Sequence, residues 1–118
     1  MKRYLAVFTG SEEARARSGW DGLDDAEREA RQKKGVAAWT AWMEQHSQAV
    51  VDSGGPLGKT KRVSPGGIED ISNNLAAYVV VEADSHEAAA RMFEQHPHFS
   101  IFPGDSVEVM ECLPVPQA

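Results

Sequence analysis

LAAYVVVE, residues 75–82, reads as a β-strand on composition alone, since Tyr78 and three consecutive valines are strong strand formers and polar turn residues close the run on both sides. Its alternation decides the fold. Leu75, Ala77, Val79 and Val81 fall on one face and Ala76, Tyr78 and Val80 on the other, so neither face is polar. Residues 3–9, punctuated by Gly10, share the property: Leu5 and Val7 oppose Tyr4, Ala6 and Phe8. Strands apolar on both faces belong at the centre of a covered sheet. The other strand-like runs differ. Residues 57–64 carry Lys59, Lys61 and Arg62, and residues 106–113 carry Glu108 and Glu111, charges of the kind that protect a sheet edge from unwanted pairing.

The helices are expected between these strands. Asp24 or Asp25 caps a long helix with acidic residues in its first turn, running to about Asp52. Its second half places Val36, Trp39, Met43 and Val50 on one stripe, widened by Ala38, Trp42 and Ala49, and Gly35 marks a kink. SGGPLG, residues 53–58, then supplies the glycines and proline expected after a helix. Residues 11–23 read as a polar connection in which Ser11 caps a short helical turn, and SPGGIEDISNN, residues 64–74, reads as a loop. Asp84 or Ser85 caps a second helix with Ala89, Met92 and Phe93 on its core stripe, and Pro97 stops it. Residues 96–104 are then a loop. The order βαββαβ is that of an α+β, ferredoxin-like fold, a four-stranded antiparallel sheet with two helices on one face. Helices cover one face only, so the second apolar face is expected to meet the same face of another copy, giving a homodimer.

A chain of 118 residues, 42% apolar and 25% charged, is expected to form one soluble domain over residues 1–118. MKRYLAVFTG is too short an apolar run for a signal peptide, and no run reaches membrane-spanning length. The single cysteine, Cys112, fits a reducing cytoplasm and is expected as a buried strand thiol with no activating cation beside it. Eighteen acidic against twelve basic residues give a net charge of −6, which disfavours nucleic acid as a partner, and no membrane association is expected.

The element order, the SGGPLG segment after the long helix and the ending HPHFSIFPGDSVEVMECLP, residues 96–114, together resemble the YCII-related proteins and their DGPF-motif relatives, small dimeric α/β barrels. The resemblance spans nearly the whole chain and implies the dimeric α/β barrel, with a cleft between sheet and helices and an enzymatic role built on a His and Asp pair. It implies no single reaction. The acidic residue of the family's Asp-Pro-Phe-like stretch falls here on His96-Pro97-His98-Phe99, an imidazole in place of a carboxylate, and Trp39 and Trp42 stand where the family's helical histidine would.

Two imidazoles two residues apart, His96 and His98, are the sharpest chemical feature, because both titrate near neutral pH and can act on one ligand. They are the expected catalytic pair, by proton transfer. Trp39 and Trp42, three apart on a helix, form an aromatic wall suited to a flat ligand, with Trp20 approaching from the preceding loop and His46 and Phe99 completing the ligand-binding set. The same residues also read as packing. No H-E-x-x-H or paired-cysteine spacing occurs, so neither a metal nor a tightly bound organic cofactor is expected. Asp52, Asp105 and Glu108 are available carboxylates, but spacing selects no pair among them. Two functional readings remain open: a small-molecule-binding homodimer using histidine-mediated proton transfer, and a non-catalytic interaction or regulatory module whose acidic surface engages a protein partner.

Overall fold

The structure is a computed structural model, and it describes residues 1–116. In chain order it contains β1 (Lys2–Gly10), α1 (Glu12–Ser18), a single 3-10 turn at Trp20–Gly22, α2 (Asp25–Gln45), β2 (Val50–Pro56), β3 (Thr60–Ser64), β4 (Gly67–Ile71), β5 (Leu75–Ala83), α3 (His86–Arg91), α4 (Pro97–Ser100) and β6 (Gly104–Glu111). The main sheet has four antiparallel strands in the order β2-β5-β1-β6, the ferredoxin-like arrangement. The two-faced strands, β1 and β5, hold its centre. Their register sets Tyr4 opposite Val81, Ala6 opposite Val79 and Phe8 opposite Ala77, and all six are buried beneath Trp42, Ala89 and Phe93 of the helical layer. The opposite face carries Leu5, Val7, Tyr78 and Val80, only half-buried, with Met110 exposed beside them on β6.

Several expectations are corrected. The long helix ends at Gln45, not Asp52: the N–H groups of Ala49 and Val50 both return to the His46 carbonyl, closing a turn, and Val50 opens the edge strand β2. The glycines of SGGPLG therefore lie in a bulged strand. Gly54 has φ +58, and a Cβ there would collide with the Tyr78 carbonyl, so only glycine permits this approach of β2 to β5.

The Lys-rich run is not an edge of the main sheet, and SPGGIEDISNN is not a loop. They form β3 and β4, a separate hairpin held by Lys61–Asp70 at 2.6 Å and Arg62–Glu69 at 3.2 Å, with Val63 and Ile68 paired and both largely exposed. The hairpin stands away from the body, and the radius of gyration is 16.3 Å, against about 13.5 Å for a compact chain of this length.

Pro97 begins a helix instead of ending one. Ser85 caps α3, which stops at Arg91; Gln95 then turns the chain with φ +58, His96 serves as N-cap and Pro97 occupies the first position of α4. Finally, Cys112 lies just past β6 and is exposed, not a buried strand thiol.

α2 runs unbroken through Gly35. The ring of Phe102 lies so close that any Cβ at residue 35 would strike it, so the glycine lets the segment after α4 press against the helix. Arg31, one turn earlier, fastens the same segment: its Nε donates to the Ile101 carbonyl at 2.6 Å and its Nη1 to the Ser18 carbonyl at 3.0 Å, while the guanidinium sits 5.6 Å over Trp20. Trp20 thus meets Arg31, not the tryptophans of α2.

Candidate functional site

These contacts leave a cleft of about 470 Å³ where α2 crosses the end of the sheet. Val36, Trp39 and Thr40 of α2 form one wall; Ser53, Gly55 and Pro56 of β2 and Ala76, Ala77 and Tyr78 of β5 form another; Gly10, His98, Phe102, Pro103 and Gly104 close it. None of these side chains carries a formal charge when His98 is neutral. Thr40 spends its hydroxyl proton on the Val36 carbonyl at 3.0 Å. The volume lies within the range of small-molecule sites, and the apolar walls with few polar groups are their usual lining.

His98 is the one imidazole in that lining, and its placement follows from the local chain. The His96 ring accepts the His98 backbone N–H at Nδ1, 3.0 Å away, capping the first turn of α4. The His98 side chain is thereby carried under β1, where Nε2 lies 2.7 Å from the Thr9 carbonyl. A carbonyl only accepts, so Nε2 holds the proton, and in the neutral ring the basic lone pair is on Nδ1. Gly104 lies flat against this ring, and a Cβ there would overlap both the imidazole and the His98 carbonyl. The ends of β1 and β6 are tied beside it by a 2.6 Å bond between the Thr9 and Ser106 hydroxyls. Burial pushes the His98 pKa below the ordinary value of 6.5, against the Thr9 and Ser106 carbonyls and Asp105, which pull it up. At neutral pH the ring is an uncharged base.

His96 lies deeper, with no exposed surface. Phe8, Trp39 and Trp42 surround it at ring separations of 4.9, 4.5 and 4.8 Å. Because Nδ1 accepts from the His98 backbone, the neutral ring must carry its proton on Nε2, and that N–H has no hydrogen-bond partner among the described residues. The ring is packed among aromatic side chains, which satisfy a donor only weakly. Burial above all, with His98 and His46 adding to it, lowers the His96 pKa to about 3.

Of the residues singled out in the sequence, Trp39 and His98 line the cleft together. Trp39 also packs on the His96 ring at 4.5 Å. Trp42 is buried behind it and donates its indole N–H to the Met92 carbonyl at 2.9 Å. His46 caps the end of α2 and packs on Trp42 at 4.5 Å, away from the cleft lining. Phe99 is 40% exposed and meets the edge of His98 at 5.5 Å from outside the cleft. Phe102, Pro103 and Gly104, and the β2 residues Ser53 and Pro56, were not singled out. The signal for Phe102 was Gly35, whose missing side chain in an otherwise strong helix marks a close approach. Among the described residues no group of three or more His, Cys, Asp or Glu is arranged to hold a metal ion, and no helix is long and apolar enough to cross a membrane.

No family model matches the chain, and no curated protein matches it. Among solved structures it is similar to 5-chloro-2-hydroxyhydroquinone dehydrochlorinase (TftG) from Burkholderia phenoliruptrix AC1100 in complex with 2,5-dihydroxybenzoquinone, with 15% identity, a TM-score of 0.52, and coverage of 91% of this chain and 89% of that one. At this identity the likeness establishes the shared fold.

Proposed function

We propose that this chain is a small-molecule-processing protein whose apolar cleft takes up a planar ligand and whose His98 exchanges a proton with it. One observation carries the reading: a neutral imidazole, fixed as a single tautomer by the Thr9 carbonyl, in the lining of a cleft of about 470 Å³ walled by Trp39 and Phe102. In the proton step, a ligand hydroxyl gives its proton to Nδ1, leaving an oxyanion on the ligand and an imidazolium whose Nε2–H stays on Thr9. The imidazolium is favoured by the two carbonyls and Asp105 that already oppose the effect of burial. His98 is the catalytic residue in this scheme, and His96 is the positioning residue that holds the first turn of α4. Trp42, His46 and Phe99 support the ring cluster from outside the cleft.

The fold shared with a dehydrochlorinase bound to a hydroxylated quinone is compatible with an aromatic ligand. Kinship with the YCII-related and DGPF-motif proteins, a cytoplasmic location, and a homodimer formed through Leu5, Val7 and Val80 of the open sheet face belong to the same proposal. A non-catalytic interaction module is the second reading, favoured by the β3–β4 hairpin, which projects Val63 and Ile68 into solvent.

The test is a thermal-shift and tryptophan-fluorescence screen of small aromatic compounds against the wild type and Trp39→Ala. Hits whose effect disappears in the variant support the cleft as the site. Hits that bind both proteins alike, or a screen without hits, would remove it.

A further inference from the structure

Resting on the cleft as the ligand site, we propose that His98 makes it selective for uncharged ligands that present a hydroxyl hydrogen, phenols in the broad sense, over ligands that present only an ether, carbonyl or carboxylate oxygen at that position. The argument is one of donor and acceptor accounting. His98 has two ring nitrogens, and the Thr9 carbonyl at 2.7 Å claims the proton of one of them. What the neutral ring offers a ligand is therefore a lone pair. A ligand O–H completes a hydrogen bond to it, whereas a carbonyl or ether oxygen sets lone pair against lone pair and leaves both groups desolvated without a partner.

The rest of the cleft reinforces the choice. A carboxylate would find no cation, because no Lys or Arg lines the cleft. Arg31, which fastens the segment that carries Phe102, is committed to the Ile101 and Ser18 carbonyls. Burying an unpaired anion there is costly. The tautomer itself is protected: turning the ring to exchange its nitrogens would break the Thr9 bond, and Gly104 lies flush against the ring plane. The same reasoning separates the two redox forms of a dihydroxy aromatic, since the quinol offers O–H where the quinone offers C=O.

The experiment uses the full-length protein and three probes of similar size, phenol, anisole and benzoate, with binding followed by calorimetry and the His98 ring followed by long-range proton–nitrogen NMR. One hydrogen bond gained corresponds to phenol binding roughly two- to tenfold more tightly than anisole, with benzoate weakest, and Nδ1 should shift on adding phenol while Nε2 stays protonated. His98→Phe keeps a flat ring against Gly104 and should bring the phenol-to-anisole ratio close to one. Equal binding of phenol and anisole by the wild type, or a free-protein spectrum with the proton on Nδ1, would overturn the selectivity while leaving the cleft as a site. Failure of phenol and anisole alike to bind would overturn the cleft reading itself.

Discussion

Titrating the folded protein from pH 7 to pH 5 should cost stability in an amount set largely by one side chain. His96 is fully buried, and its pKa is lowered to about 3, whereas in the unfolded chain it returns to about 6.5. Between those values the unfolded chain binds a proton that the native protein does not, so stability falls as pH falls, by at most about 1.4 kcal/mol per pH unit. The loss is small at pH 7, where the unfolded imidazole is already mostly neutral, and integrating the linkage from pH 7 to pH 5 gives about 2 kcal/mol from His96. His98 adds to the wild-type loss with the same sign, since its pKa is also lowered. His96→Asn isolates the first contribution, because an asparagine Oδ1 can still accept the His98 backbone N–H as an N-cap while removing the titration. Urea unfolding at pH 7, 6 and 5, at one protein concentration so that any self-association affects both proteins equally, should show the variant losing about 2 kcal/mol less than the wild type over the range. Equal losses in the two proteins would refute the claim that an uncharged His96 is required by its aromatic surroundings.

Gly104→Ala should be destabilising by about 1–3 kcal/mol, the usual result of overpacking, and should displace the imidazole it presses on, so that urea unfolding and the His98 ring nitrogen shifts change together. Trp42→Phe keeps most of the apolar volume but removes the indole donor to the Met92 carbonyl, for an expected loss of about 1–3 kcal/mol in denaturant unfolding if that carbonyl is left without a partner; an unchanged midpoint would mean that water replaces the bond. Val80→Glu, on the open sheet face, should convert a dimer to a monomer in sedimentation at micromolar concentration, and a wild type that sediments as a monomer there would count against pairing through this face.

What could be read in advance, and what could not, divides along the range of the interactions. The centre of the sheet was legible because a two-residue period is local: Tyr4, Ala6 and Phe8 announce one face of β1 without reference to any partner, and Ala77, Val79 and Val81 do the same for β5. The strand β2 was hidden because Ala49 and Val50 also continue the helical stripe of Trp39, Trp42 and Met43. What ends α2 is the return of the Ala49 and Val50 N–H groups to the His46 carbonyl, followed by pairing of Val50 with Val81, and the second of these is invisible in a window of local sequence. The edge charges misled for a related reason, since Lys61 and Arg62 find Asp70 and Glu69 within a hairpin and never meet the main sheet.

The histidine pair shows the same division inside one tripeptide. His96 and His98 are equivalent as chemistry in the sequence, but Pro97 fits the first position of a helix, and that assigns the residue before it to the cap and the residue after it to the first turn. The cap position turns the His96 ring inward to accept a backbone N–H among Phe8, Trp39 and Trp42. The first turn aims the His98 ring at a carbonyl 89 positions earlier, on a strand whose neighbourhood only the β1–β6 register defines. Of two groups that look interchangeable on paper, one is therefore enclosed in the aromatic cluster, while the other reaches the lining of the cleft. The asymmetry of placement originates in a proline whose local consequence, a helix start, is more specific than the helix stop it also resembles.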